Sequence, residues 1–124
     1  MLMPPGVRVF VAREPVDLRA SFYGLAAHVR GTLGADPQSG TLFLFIGKGR
    51  KLVKVLFWDR QGYCIFSKKL EQGRFALFDD IPAGAVRHEV DFTTLTLFLE
   101  GIDPNARRRR PYRAPVLGGR TCET

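Results

Sequence analysis

Positively charged side chains crowd residues 48–69, where apolar runs of strand length alternate with lysines and arginines. This stretch carries a net charge of +6 and residues 104–124 carry +5, while residues 70–103 between them carry −5. Cations gathered on one surface neutralise phosphates, and binding of that kind is sensitive to salt and weakly selective for sequence. Solubility alone does not require such segregation of charge, so the distribution predicts a polyanionic partner.

Two basic segments are the candidate binding elements. In GKGRK (47–51) the glycines let the backbone approach a surface closely, and the arginine run after residue 103 can track a phosphate backbone. Trp58 and Tyr63 flank the DRQG turn and offer rings for stacking, although packing within the fold is the plainer explanation. For each basic segment the alternative is a solvated surface without a ligand. The predicted nucleic-acid-binding residues are Lys48, Arg50, Lys51, Lys54, Arg60, Lys68, Lys69, Arg107, Arg108, Arg109, Arg110 and Arg113.

Residues that support catalysis or metal binding are sparse. His28 and His88 have no Cys or His neighbour at the spacing of a zinc site. The serines lack the G-x-S-x-G context of an activated nucleophile. GKGRK lacks the spacing of a phosphate-binding P-loop and lies between two predicted strands, whereas a P-loop leads into a helix. We therefore predict no metal, no cofactor and no enzymatic activity.

The acidic residues leave a metal-dependent nuclease or transposase as a further hypothesis, because such enzymes hold two divalent ions between carboxylates. The available carboxylates are Asp59, Asp79, Asp80, Asp91 and Glu100. Most of them have the position of a turn residue or of a helix cap. These ordinary structural roles argue against a nuclease.

Two helices are predicted from apolar spacing and capping residues. In DLRASFYGLAAHVRGTLG apolar residues recur every three or four positions, with Asp17 as the N-cap and Gly34 as the stop. FTTLTLFLEG is rich in β-branched residues, but Asp91 before it and Gly101 at its end have the positions of caps. We predict a short second helix there.

Apolar runs joined by short glycine-containing turns predict an antiparallel meander. TLFLFI is apolar at every position, so we expect it to be a central strand covered on both faces. The predicted strands are 7–12, 41–46, 52–58 and 63–70, with 74–78 and 85–90 as further candidates. The predicted fold class is α+β: an antiparallel sheet of about 5–6 strands packed against one main N-terminal helix, with a short C-terminal helix and a flexible basic tail.

Length and composition bound the remaining possibilities. The chain has 124 residues, the size of one domain, and we assign residues 1–103 to that domain and 104–124 to the tail. No apolar run approaches the roughly 18–20 residues of a membrane-spanning helix, and the N-terminus lacks the pattern of a signal peptide. Cys64 and Cys122 are typical of free thiols in a reducing compartment. We expect a cytoplasmic protein that does not contact a membrane.

Several stretches resemble one protein family, the TnpB or second-open-reading-frame proteins of insertion sequence 66 elements. The matching stretches are PGVRVFVA, LRASFYGLA, DPQSGTLFLFIGKGR, LVKVLFWDRQGYCIFSKKLEQGRF and FLEGID. They follow the family's order through residues 5–103. The positions that carry the family motif here are Lys54, Trp58, Asp59, Gln61, Gly62, Lys68, Leu70, Gly73, Arg74 and Phe75.

The resemblance implies a component of a bacterial mobile element, encoded beside a separate transposase that carries the cutting and joining chemistry. No catalytic role attaches to the motif residues. SFYGL departs from the family's usual GFDGL and places Tyr23 where an acid is usual, and PNARRRRPYR lacks the Trp that commonly follows EGID. We hypothesise a non-catalytic accessory protein of transposition that binds DNA with low sequence specificity. The alternative is an adaptor that docks on the transposase without contacting DNA, and both are compatible with a homo-oligomer.

Overall fold

The computed structural model describes residues 7–19, 21–78, 81 and 84–103. Within these ranges the chain forms five strands and two α-helices, the first of which continues into a π-helical turn. The elements are β1 (Val9–Ala12), α1 (Phe22–His28), the π-helical turn (Val29–Leu33), β2 (Leu42–Ile46), β3 (Leu52–Asp59), β4 (Gly62–Lys69), β5 (Arg87–Val90) and α2 (Phe92–Leu99). The predicted α+β class is confirmed.

The sheet formed by the described strands is mixed. Its order is β4-β3-β2-β1-β5, with β1 parallel to β2 and every other neighbouring pair antiparallel. The predicted purely antiparallel meander is therefore wrong for β1, because α1 carries the chain back along the sheet before β2 begins in the direction of β1. The predicted meander does exist in β2, β3 and β4, which follow one another in sequence and in the sheet.

β2 lies in the centre of the sheet, and all of its residues are buried. Phe43 and Phe45 belong to the apolar cluster on the face covered by α1, whereas Leu44 and Ile46 belong to the cluster on the face covered by α2. Alternate residues of one strand therefore supply two cores. This confirms the prediction from TLFLFI, because a strand that is apolar on both faces needs a cover on both.

The core on the α2 face contains an aromatic cluster. Phe75 stacks on Phe98 with 5.0 Å between ring centroids, and Phe78 lies 5.2 Å from Phe98. The strand predicted at 74–78 is wrong, since this segment is irregular. Both of its phenylalanines point into the same core, whereas residues three apart on a strand point to opposite faces.

Helix α1 begins at Phe22 with Ser21 as its N-cap, so the predicted cap Asp17 is wrong. The carboxylate of Asp17 instead accepts a hydrogen bond of 3.0 Å from the backbone N–H of Arg19, which forms a turn where the first helical turn was expected. Gly34 does end the helical segment, as predicted. Its φ of 64° lies in the left-handed region, which glycine adopts without the penalty of a Cβ.

Helix α2 begins at its predicted cap. The N–H of Thr94 donates to Asp91 Oδ1 at 2.7 Å, and Gly101 follows the helix with a φ of 89°. The short C-terminal helix is therefore confirmed. Neither α1 nor α2, the α-helices of the described chain, combines the length and the apolar character that crossing a membrane requires.

Candidate nucleic-acid interface

Residues 47–51, the basic loop, join β2 to β3 as a defined hairpin tip. The N–H of Gly47 donates to Leu52 O at 2.8 Å, and the N–H of Arg50 donates to Gly47 O at 2.9 Å. Lys48 and Lys51 are exposed at this tip. The backbone that carries these cations is thus held in place before any ligand arrives.

Residues 16–19 lie alongside the basic loop. Val16 forms a parallel bridge with Gly47, which joins two segments distant in sequence. An added Cβ at Gly47 would lie 3.1 Å from Leu52 O and 3.3 Å from Leu18 Cδ1, so a side chain at this position would have to displace these neighbours by a few tenths of an ångström. Glycine therefore suits the close approach of the two segments.

An open groove, the basic groove, runs between these two segments. Its charged lining consists of Lys48 and Lys51 from the loop and of Asp17 and Arg19 from the facing segment. Three cations and one carboxylate leave the groove with an excess of positive charge. Because the groove is open, an extended polyanion can lie along it.

The carboxylate of Asp17 is held by Arg19. Arg19 Nη2 lies 2.6 Å from Asp17 Oδ2, and Arg19 Nε lies 3.0 Å from both carboxylate oxygens. Hydrogen bonds from the Arg19 guanidinium and backbone N–H hold the pKa of Asp17 well below its usual range, and the charges of Arg19 and Lys48 lower it further. The same pair raises the pKa of Arg19. Asp17 therefore stays ionised and offsets part of the positive charge of the basic groove.

Lys69 adds a further exposed cation beside the basic groove. It pairs with Leu52, the residue that follows the basic loop. Tyr63 and Ile65 on the same strand pack against the core on the α1 face, so strand alternation places Lys69 on that face too. Leu18, which lines the groove, belongs to the same core. The structure thus brings Lys69 to the side of the sheet on which Leu18 and the basic groove lie.

Lys54 and Lys68 point to opposite faces of the sheet. Lys54 Nζ donates to Leu18 O at 2.7 Å on the α1 face, whereas Lys68 Nζ donates to Leu99 O at 2.6 Å at the end of α2. The lysines of residues 48–69 therefore do not all share one surface, because a strand sends alternate side chains to opposite faces. Both ammonium groups satisfy buried or half-buried carbonyls. Any contact of these two lysines with nucleic acid stays a prediction.

Removal of the Lys68 ammonium group is expected to destabilise α2. In Lys68→Met the carbonyl of Leu99 loses a charged donor at the negative end of the helix, and we expect the free energy of unfolding to fall by about 1–2 kcal/mol. Urea denaturation measures this change. Lys69→Met alters the neighbouring exposed residue and should stay within about 0.5 kcal/mol. Equal losses in the two variants would contradict the capping role.

Arg50 and Arg60 occupy unusual backbone conformations at the two ends of β3. Their φ angles are 60° and 49°, in the left-handed region that glycine adopts freely. A residue with a Cβ costs roughly 1–2 kcal/mol there, and strained backbone of this kind clusters at functional sites. Arg60 is exposed and Arg50 is half-buried. Arg60 lies one strand length from the basic loop, about 25 Å at 3.3 Å per residue. It therefore does not belong to the basic groove.

Three aromatic rings, the aromatic cluster of Tyr23, Trp58 and Tyr63, lie near Arg60 at the far end of β3. Trp58 and Tyr63 are cross-strand neighbours with ring centroids 5.0 Å apart and an interplanar angle of 76°. Tyr23 of α1 meets the Tyr63 ring at 6.2 Å and 88°. Trp58 and Tyr63 thus pack against each other, as the packing explanation expects. Tyr23, which was not a predicted site residue, packs against Tyr63 as well.

Several of the family-motif positions have clear structural roles. Asp59 and Gly62 pair to close the β3–β4 turn. Gly73 has a φ of 77°, and Phe75 is buried in the α2-face core. The N–H of Leu70 donates to the carbonyl of the last basic-loop residue at 2.8 Å. Gln61 and Arg74 are exposed, together with Asp59 and Gly73.

The described carboxylates of the nuclease hypothesis lie at the end of β3 and at the two opposite ends of α2. Asp59 ends β3, Asp91 caps the start of α2, and Glu100 follows its end. Among the residues the structure describes, no group of three or more His, Cys, Asp or Glu side chains is placed to hold a metal ion. Asp79 and Asp80 lie outside the described residues.

The predicted arginine arm also lies outside the described residues, so Arg107–Arg110 and Arg113 stay predictions. Arg19 is the residue of the basic groove that the sequence did not single out. In the sequence Arg19 is recognisable only as a cation two residues after Asp17. Its position in the groove depends on the bridge between Val16 and Gly47. That bridge joins residues 31 positions apart in the sequence, about which local sequence patterns carry no information.

Comparison with known proteins identifies the family. The family model described as IS66 Orf2 like protein matches residues 7–109. The chain is 38% identical over 104 residues to the uncharacterized protein y4hO of Sinorhizobium fredii (strain NBRC 101917 / NGR234), covering 82% of this chain and 88% of that protein. It is 34% identical over 111 residues to the uncharacterized protein y4jC of the same organism, covering 90% and 92%. No solved structure matches the chain. The chain therefore belongs to the IS66 Orf2-like family of insertion-sequence accessory proteins.

Proposed function

We propose that this protein binds DNA during transposition by laying the phosphate backbone along the basic groove. The observation that carries the proposal is the grouping of Lys48, Lys51 and Arg19 around a groove whose backbone is held by the hydrogen bonds and the bridge of Gly47. Lys69 adds charge on the same side of the sheet. Phosphate contacts of this kind hold nucleic acid without reading its sequence.

The protein would act as a holder of DNA, and the separate transposase of the element would carry the chemistry. The basic groove supplies point charges and no element shaped to enter the major groove of a duplex, so sequence preference is expected to be low. The arginine arm at 104–124 would extend the same contact. A cytoplasmic location and the absence of enzymatic activity are part of this proposal.

The proposal is tested by the salt dependence of DNA binding. Fluorescence anisotropy of the 124-residue chain with a labelled duplex of an element end and with a random duplex should give similar affinities. The logarithm of the binding constant should fall with the logarithm of salt concentration, with a slope of about −3 or steeper between roughly 0.05 and 0.2 M salt. No binding at the lower salt concentration would refute the proposal.

An adaptor that docks on the transposase is the second candidate, and exposed apolar surface on β4 favours it. β4 is an edge strand of the described sheet, and Phe66 on it is 44% exposed. Free strand edges pair readily with a strand of another chain. Copurification with the transposase in high salt and in the presence of nuclease would support the adaptor. Loss of copurification in Phe66→Ser would show that the transposase contacts β4.

Removal of the one carboxylate of the basic groove is expected to strengthen DNA binding. In Asp17→Asn the excess positive charge rises by one unit and Arg19 is released toward the phosphates, so we expect about two- to fivefold tighter binding at 0.1 M salt. Anisotropy at the same protein concentration range measures it. The exposed Asp17–Arg19 pair contributes little to stability, so the fold should persist.

Glu89→Gln is the matched control. Glu89 forms a similar exposed pair with Arg8, with an Nε to Oε2 distance of 3.0 Å, but it lies on β5 at the opposite edge from β4. The variant changes the net charge by the same amount and should alter affinity by less than about 1.5-fold. Equal strengthening in both variants would mean that overall charge, and not the basic groove, governs binding.

A further inference from the structure

We propose that the aromatic cluster is a base-stacking site, and that the protein therefore prefers single-stranded nucleic acid over a duplex. This inference rests on the proposed function, because the phosphates of the same strand would lie in the basic groove. It adds a second contact, made to the bases, at the other end of β3. The ligand class is an extended single strand with unpaired bases.

The geometry of the cluster leaves ring surface open to solvent. Tyr63 stands between the other two rings and meets each of them edge to face, as the angles of 76° and 88° show. Tyr23 is 77% exposed, and Trp58 is half-buried. An edge-to-face contact places the edge of one ring on one face of the other, so each ring of such a pair keeps at least one face clear of that contact. Because Tyr23 is also largely exposed, it has a ring face open to a stacked base.

Cations surround the cluster. Arg30 on the helical segment donates from Nη2 to the hydroxyl of Tyr63 at 3.4 Å, and its guanidinium is exposed. Arg60, held at a φ of 49°, occupies the turn that joins the strands of Trp58 and Tyr63. Guanidinium groups beside aromatic faces both neutralise phosphate and stack on bases. Single exposed aromatic residues are common, but three adjoining rings beside two exposed arginines combine the stacking faces and the positive charge that single-strand-binding proteins use.

The cluster and the basic groove lie on the same side of the sheet. Leu52, Lys54 and Leu56 of β3 face α1, and alternation places Trp58 with them. Asp59, the carboxylate next to Trp58, alternates to the opposite face. Trp58 is about 20 Å from Leu52 along the strand, a span that a few nucleotides of extended strand cover. One nucleic-acid strand can therefore reach both the basic groove and the aromatic cluster without crossing an edge of the sheet.

A duplex cannot use this site in the same way. Its bases are stacked on one another, so their faces meet an aromatic side chain only after unstacking. A single strand presents its base faces directly, and stacking on aromatic residues tolerates every base. The phosphate contacts of the basic groove serve both forms of nucleic acid. A preference between the two forms would consequently arise at the aromatic cluster.

The test compares a thymidine oligonucleotide with an abasic oligonucleotide of equal length, which has the same phosphates but no bases. We expect the thymidine strand to bind at least about fivefold more tightly than the abasic strand. Trp58 is the only tryptophan of the chain, so its fluorescence should be quenched by the thymidine strand and not by the abasic one. A duplex of the same length should bind more weakly than the thymidine strand at equal phosphate concentration.

Tyr23→Ala should remove the difference between the two oligonucleotides and leave the affinity for the abasic strand unchanged. The residue is exposed and alanine favours a helix, so the variant should fold. Phe92→Ala, which truncates an exposed ring on α2, should preserve the difference. Equal binding of both oligonucleotides by the original chain would overturn the stacking site and leave the proposed phosphate contact standing.

Two other outcomes are informative. If neither oligonucleotide nor any duplex binds at low salt, the proposed function itself fails. If Tyr23→Ala keeps the preference for the thymidine strand, no base stacks on Tyr23 and the proposed stacking site is refuted. Loss of copurification with the transposase in the same variant would then make the cluster a protein contact.

Discussion

Neutralising the two lysines of the basic groove, in the double variant Lys48→Gln/Lys51→Gln, is expected to weaken DNA binding by roughly ten- to hundredfold at 0.1 M salt. Each lysine that contacts a phosphate releases about one counterion, so the slope of log K against log salt should become shallower by about two. Both side chains are exposed at the tip of the loop, so stability should be unaffected. Anisotropy at four or more salt concentrations measures affinity and slope together.

Arg8→Gln/Arg13→Gln is the control for overall charge. Arg8 and Arg13 flank β1, make exposed ion pairs with Glu89 and Glu14, and lie outside the basic groove. Both double variants lower the formal net charge from +7 by two units. The control should reduce affinity by less than about threefold and leave the slope nearly unchanged. Equal losses would show that DNA responds to the field of the whole molecule and has no site at the basic groove.

Truncation of Phe98 is expected to have the largest effect on stability. Its ring packs against Phe75 and Phe78 and attaches α2 to the irregular segment that follows β4. Phe98→Ala removes the centre of this cluster and should lower the free energy of unfolding by about 3–5 kcal/mol. Small domains have only about 5–15 kcal/mol in total, so the variant should be near the limit of folding at 37 °C. Urea denaturation at lower temperature gives the value.

Phe92→Ala on the same helix is the control, because its ring is 41% exposed. It should lower the free energy of unfolding by less than about 1 kcal/mol. A small loss in Phe98→Ala would mean that α2 packs on the sheet by other contacts and that the three-ring cluster is incidental to the fold. An unchanged circular dichroism spectrum with lost thermal cooperativity would instead indicate loosened packing of α2.

The sequence predicted those parts of the fold that depend on short-range chemistry. The apolar run of β2, the left-handed glycine after α1 and the aspartate cap of α2 each follow from one local rule, and each is confirmed. The prediction of where α1 begins failed because the Asp17 side chain can either cap a helix or accept a hydrogen bond within a turn. In the structure it accepts from the backbone N–H of Arg19 and forms the turn.

The features that the sequence did not predict depend on contacts between residues far apart in the chain. The residues around β1 do not indicate that it pairs in parallel with β2. The residues around 74–78 likewise do not indicate that the phenylalanines of this segment pack against α2. At the candidate site, Lys54 and Lys68 were grouped with the basic loop because charge was counted along the chain. Their carbonyl partners, Leu18 and Leu99, are 36 and 31 residues away. Contacts between residues so far apart in sequence are determined by the topology of the fold.

The pairing of β1 also constrains the time at which the chain can fold during its synthesis. Val9 is flanked by Leu42 on one side and by Val90 on the other, so its two neighbours are synthesised 33 and 81 residues after it. The sheet can close only after most of the domain has emerged, and until then β1 lacks one of its neighbours. Prematurely terminated products that end before β5 would expose an unpaired strand and an uncovered aromatic core, both of which promote aggregation. Such incomplete products are therefore expected to aggregate or to be degraded by proteases.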